Sequence, residues 1–141
     1  MKLQVSNANQ PVWRNLTVRA ELPKELKPLE VMSKNLWWVW NSEGKSLFRD
    51  LDPGLWRKVG ENPVMLLQQI SYERLKEILG DESLLERIRG VYASFEEYMG
   101  KPLRTDIPSV AYFSMVYGLC NCLKIYSGGL GVLAGDYIKQ A

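Results

Sequence analysis

The pairs Asp52-Pro53 and Asn62-Pro63 constrain this chain more than any other feature, because each sets a side chain able to cap a helix directly before a proline. Proline has no N–H to lose at the first helical position, and the preceding oxygen can accept from the free N–H groups that follow. The chain here must therefore break into short helices. Ser71 and Asp81 offer the same start signal for two more helices, which Gly80 and then Gly100 and Pro102 bring to an end. The first carries Leu75, Ile78 and Leu79; the second has Leu84, Leu85, Ile88, Val91, Tyr92, Phe95, Tyr98 and Met99 along one side. Upstream, Leu26, Leu29, Met32, Leu36, Val39 and Trp40 fall three or four apart, which predicts a single amphipathic helix ended by Asn41 and Ser42.

Two stretches depart from the helical period. Val12, Leu16, Val18, Ala20 and Leu22 alternate with polar residues, a half-buried strand that Leu3 and Val5 would join across Asn7–Pro11 as a small amino-terminal β-hairpin. Val110-Ala111-Tyr112-Phe113 is a continuous apolar run, as expected of a strand buried on both faces of a parallel sheet. Its neighbours would need crossover connections longer than the sequence that follows. The expected fold is mainly α: a hairpin and helical module over residues 1–100, a linker over 101–108 with Pro102 and Pro108, then at 109–141 the first strand and helix of an incomplete α/β domain. Val110, Tyr112 and Phe113, left uncovered, would favour self-association or local disorder.

Composition narrows the function. A formal charge of +2, with Lys24, Lys27, Lys34, Arg49, Arg57 and Lys58 interleaved with acids, is too little to hold a polyanion, so no nucleic-acid partner is expected. There is no histidine to serve as an imidazole base or to complete a metal set around Cys120 and Cys122. The two thiols read better as reduced cysteines of a reducing cytoplasm. No apolar leader follows Met1 and no run nears the ~20 residues of a membrane span, so cytoplasmic residence without membrane attachment is expected. Glu96-Glu97 and Asp81-Glu82 lie on helix surfaces or caps and make no catalytic pair; no catalytic residue is assigned.

Two constellations invite a binding role. Within Tyr126–Asp136 and on from it, Leu130, Leu133, Ala134, Tyr137, Ile138 and Ala141 recur at helical spacing, which puts Gly128, Gly129 and Gly131 at a helix start. Outward N–H groups there could cradle a phosphate; the same glycines could equally serve a tight turn, and spacing does not choose between these readings. Gly129-x-Gly131-x-x-Ala134 meets a relaxed dinucleotide fingerprint only weakly, since no strand precedes it directly. Trp37, Trp38 and Trp40, with Trp13 and Trp56, could offer sugar-stacking platforms, but neighbours on a helix point about 100° apart and core packing is the better reading.

Val110–Met115, Tyr117-Gly118-Leu119 and Ile125–Asp136 resemble the opening of the catalytic region of bacterial α-glucan (glycogen or maltodextrin) phosphorylases. Asn35–Asn41, Leu47–Arg49, Leu51–Pro53, Trp56 and Asn62-Pro63 resemble the helical domain that precedes it in one branch of that family. The resemblance implies a glycosyltransferase fold of two Rossmann-like domains, with pyridoxal phosphate on a lysine far downstream. It implies release of glucose 1-phosphate from α-1,4-glucan by inorganic phosphate. Gly128, Gly129, Leu130 and Gly131 then match the loop that presents N–H groups to phosphate and the glucosyl unit. Val116 stands where the family usually has glutamate, and Cys120 where it often has histidine. The expectation is an amino-terminal fragment, inactive alone and without bound pyridoxal phosphate. The alternative is a non-catalytic glucan-binding or subunit-assembly module.

Overall fold

The computed structural model describes residues 21–102, 105–106, 108 and 110–140. A 3-10 turn, Lys24–Leu26, leads into α1 (Lys27–Ser33), followed by α2 (Trp37–Trp40), α3 (Ser42–Leu51), α4 (Pro53–Lys58), α5 (Pro63–Gln69), α6 (Tyr72–Gly80) and α7 (Glu82–Met99). After a stretch without helix comes α8 (Gly128–Gln140).

Every cap read from sequence is made. Asp52 accepts from the Leu55 N–H at 2.8 Å, Asn62 from Met65 at 3.1 Å, Ser71 from Arg74 at 3.1 Å and Asp81 from Leu84 at 3.0 Å. Pro53 and Pro63 open α4 and α5. Asn41 does more than end a helix, since its side chain accepts from the Gly44 N–H at 2.8 Å and starts α3.

The single helix expected over residues 26–40 is divided. Asn35 turns its side-chain oxygen to the Trp37 N–H at 2.9 Å, a local bond that competes with the helical ladder and separates α1 from α2. The break changes which face is buried. Leu26, Leu29 and Met32 point into the core as expected, but beyond Asn35 it is Trp37 and Trp38 that are buried, while Trp40 is 42% exposed.

The core lies among α1 to α7 and is aromatic at its centre. Trp38 meets Phe48 and Trp56 edge-on, with ring centroids 6.3 and 6.1 Å away, and Phe48 stacks on Trp56 at 6.4 Å. Trp37 meets Phe95 of α7 at 5.5 Å. Leu47, Leu51, Leu66, Ile78 and Ile88 fill the spaces between them. Gly44 lets α3 close onto α2, for a Cβ there would sit 3.1 Å from the Trp37 ring and 3.3 Å from the Trp38 Cα. Two arginines tie the outer helices to α3. Arg74 donates to the Leu51 carbonyl at 2.7 Å, and Arg87 donates to Asp50 at 2.9 Å and to the Ser46 hydroxyl at 2.7 Å.

The β elements fare differently. The hairpin over Leu3–Leu22 falls almost wholly outside the described residues, and Glu21 and Leu22 carry no strand. No strand occurs among the described residues, so the one expected at Val110–Phe113 is corrected: that segment has no regular secondary structure, with Val110 82% and Phe113 90% exposed. A strand exists only through a ladder with a neighbour, and no neighbouring strand is present among the described residues to supply one.

Candidate functional site at the glycine-rich helix start

The residues proposed from sequence as a phosphate cradle divide between two tasks. Gly128 has φ of +67°, the left-handed conformation that admits the chain into α8 and that glycine adopts without steric cost. A Cβ at Gly128 or Gly129 would meet nothing within 4 Å, so this end of the helix is open to solvent. Leu130 is exposed as well. The first turn of a helix leaves its N–H groups without intrahelical partners and carries the positive end of the dipole. Gly128, Gly129 and Leu130 thus bring together the backbone and the space that an anion needs.

Gly131 is a packing residue instead. It is buried, and a Cβ there would come within 2.6 Å of the Tyr126 Cβ. Its carbonyl accepts from the Gly118 N–H at 2.7 Å. One turn later a Cβ at Gly135 would collide with the Gly118 carbonyl oxygen, and a Cβ at Gly118 would lie 3.1 Å from the Gly131 oxygen. Gly131, Ala134 and Gly135 therefore form a side-chain-poor stripe against which the backbone at Gly118 lies directly. The four-residue spacing of Gly131 and Gly135, which puts both on one face, was the signal in the sequence for this contact. The bulkier Leu130, Leu133 and Tyr137 face outward, 67%, 67% and 52% exposed.

The segment before α8 is held by short-range bonds. Tyr117 donates its N–H to the Ile125 carbonyl at 3.1 Å and its hydroxyl to the Tyr112 carbonyl at 3.1 Å, and the Tyr112 and Tyr137 rings approach to 4.7 Å. Val116, at the position where the family resemblance leads one to expect glutamate, is half-buried and donates its N–H to the Ser114 hydroxyl at 3.3 Å.

Cys120 and Cys122 flank a turn closed by the Leu123 N–H on the Cys120 carbonyl at 3.2 Å, and both rest against the helical core. They border a cavity of about 150 Å³ that Trp38, Lys45, Glu61 and Lys139 also line. Burial, reinforced by its bond with Cys120, pushes the Cys122 thiol up to about 12, so it stays protonated at neutral pH. A wider groove of about 780 Å³ runs between α1 and α5, with Glu21, Glu30 and Lys34 on its walls and the last two paired at 2.7 Å. No group of three or more residues able to hold a metal ion occurs among the described residues. No helix among them is long and apolar enough to cross a membrane.

A chain in which a tryptophan-centred helical module precedes an open, glycine-built helix start has a defined set of relatives. Residues 22–123 match the family described as "Protein of unknown function (DUF3417)", and the chain belongs to that family. Among curated proteins it is 38% identical over 140 residues to a glycogen phosphorylase of Mycobacterium tuberculosis, covering 91% of this chain. It is 39% identical over 113 residues to a glycogen phosphorylase of Aquifex aeolicus and 38% identical over 131 residues to a maltodextrin phosphorylase of Thermococcus litoralis, covering 78% and 88% of this chain. The aligned part is 16% of the length of each of these relatives. No solved structure matches the chain significantly. The resemblance to α-glucan phosphorylases read from Asn35–Asn41 and from Val110–Met115, Tyr117–Leu119 and Ile125–Asp136 is thereby borne out.

Proposed function

We propose that this chain is the amino-terminal part of an α-glucan phosphorylase, an enzyme that uses inorganic phosphate to release glucose 1-phosphate from α-1,4-glucan. The observation that carries this reading is the extent of the similarity to phosphorylases, which covers 91% of the chain and so reaches past the helical module into the segment that follows it. Residues 1–100 form the helical domain, 101–108 the linker, and 109–141 the opening of a catalytic region whose two Rossmann-like domains are completed by sequence outside this chain. In that setting Gly128, Gly129 and Leu130 offer N–H groups to the phosphate and the glucosyl unit, while Gly131 fixes the helix that carries them.

Pyridoxal phosphate belongs to the full-length enzyme in this reading, and the described residues do not fit it. A covalently held cofactor of this size needs an enclosed pocket of about 300 Å³ or more. The cavity bearing Lys45 and Lys139 has about 150 Å³, and both amines are committed, to Glu61 at 2.9 Å and to Asp136 at 3.6 Å. The wider groove balances Lys27 and Lys34 with Glu21 and Glu30, with Lys34 paired to Glu30, and so offers no net positive charge to a phosphate. No step is assigned to the cofactor here.

The test is a hybrid in which this chain replaces the corresponding segment of the Thermococcus litoralis relative. The hybrid is expected to release glucose 1-phosphate from maltodextrin and phosphate, and the isolated chain to release none. A folded hybrid without activity, or activity from the isolated chain, contradicts the proposal. Gly129→Val in the hybrid should raise KM for phosphate, because it fills the open helix start.

A second reading, a subunit-assembly role, is favoured by the outward Leu130, Leu133 and Tyr137. Sedimentation of the isolated chain then shows self-association, which a strictly monomeric chain would exclude. The buried Trp37, Trp38 and Trp56 count against a glucan platform on the helical module.

A further inference from the structure

Both thiols of the chain are free, and their sulfurs are in mutual contact at 2.7 Å. Residues two apart on an extended strand share a face but stand about 7 Å apart, so sulfur contact requires the turn. The Leu123 N–H closes it on the Cys120 carbonyl and shortens the separation between the Cys120 and Cys122 side chains. Bonded sulfurs lie about 2.0 Å apart, which is a short further movement. Both cysteines are partly exposed, so the sulfur of a small disulfide can reach them from solvent.

We infer that Cys120 and Cys122 form a dithiol that closes reversibly to an intramolecular disulfide by exchange with a small disulfide such as oxidised glutathione. The Cys120 sulfur, as thiolate, attacks one sulfur of the small disulfide; that S–S bond breaks and one thiolate leaves and takes up the proton. The Cys122 thiol loses its proton and its sulfur attacks the Cys120 sulfur, and the second small thiol departs. Two protein thiols are oxidised and one small disulfide is reduced to two thiols, so electrons and protons balance. Attack begins at Cys120 because burial keeps Cys122 protonated. Closure locks the turn that links Gly118, the contact point for α8, to the residues resting on the helical core. This inference is independent of the phosphorylase reading.

The test equilibrates the native chain with mixtures of reduced and oxidised glutathione, quenches with acid, alkylates and weighs the product. A disulfide within one chain, reversed by dithiothreitol, is expected at glutathione ratios that leave the chain in denaturing urea at least tenfold less oxidised, because the folded turn presents the thiols together. Three results overturn the inference: both cysteines remaining alkylated across the whole range, glutathione adducts or chain-to-chain disulfides alone, or equal closure in urea.

Discussion

The helical module up to Met99 and the segment from Val110 to Gln140 are built on opposite principles. In the module, side chains do the holding. Trp37, Trp38, Phe48, Trp56 and Phe95 fill a shared interior, and capping side chains pin the starts of α3 to α7. In the later segment the decisive contact is backbone on backbone: Gly118 lies against Gly131 and Gly135, and the large apolar side chains point outward. The first arrangement supplies its own hydrophobic driving force. The second positions a helix start closely but buries little, as suits a region that awaits further packing.

The strongest way to break the comparison is to empty the module. Phe48→Ala, which removes a fully buried ring between Trp38 and Trp56, should cost about 3–5 kcal/mol and lower the urea midpoint of the whole chain. Gly135→Ala should cost about 1–3 kcal/mol, since the new methyl collides with the Gly118 carbonyl. Its loss should appear as faster amide exchange in α8 with α3 and α7 unchanged. Gly129→Ala is the matched control: it meets nothing and should stabilise α8 by up to about 1 kcal/mol through helix propensity. Asp81→Ala, which deletes the cap on Leu84, should lower stability by about 1 kcal/mol in the same urea titration.

The smallest expected effect is electrostatic. The Arg87 hydrogen bond, opposed by burial and aided by Arg49, holds the Asp50 carboxyl below its ordinary value of 3.8. A lowered folded-state value means the stabilisation is fully present above 3.8 and is lost as pH falls through the lowered value. Both side chains are more than a third exposed or nearly so, at 38% for Asp50 and 33% for Arg87, so the contribution is about 1 kcal/mol or less. Arg87→Met should flatten the acid limb of a stability-against-pH curve by lowering the stability above about pH 4 by about 1 kcal/mol or less, and should leave the stability near pH 2 almost unchanged.

What was legible in the sequence was local. Caps bond three residues ahead, so Asp52, Asn62, Ser71 and Asp81 announced themselves and the structure keeps every one. The break at Asn35 was hidden because the periodicity of Leu26 to Trp40 continues across it, and only the competing bond to Trp37 rotates the buried face. The apolar run at Val110 looked like a strand because composition shows what could be buried, never whether a pairing partner exists. In α8 the large residues drew the eye, yet the packed face is the small one, Gly131-Ala134-Gly135. Of the proposed cradle, the open glycines at 128 and 129 suit the anion reading, while the packing role of Gly131 needed the Gly118 contact to be seen.

Native-state amide exchange measures the difference between the two regions most directly. If side chains hold the module and only a backbone contact holds α8, amides of α3 and α7 should exchange through global unfolding, and those of α8 at least tenfold faster through a separate local opening. Equal protection in α7 and α8, lost together with rising urea, would contradict the account.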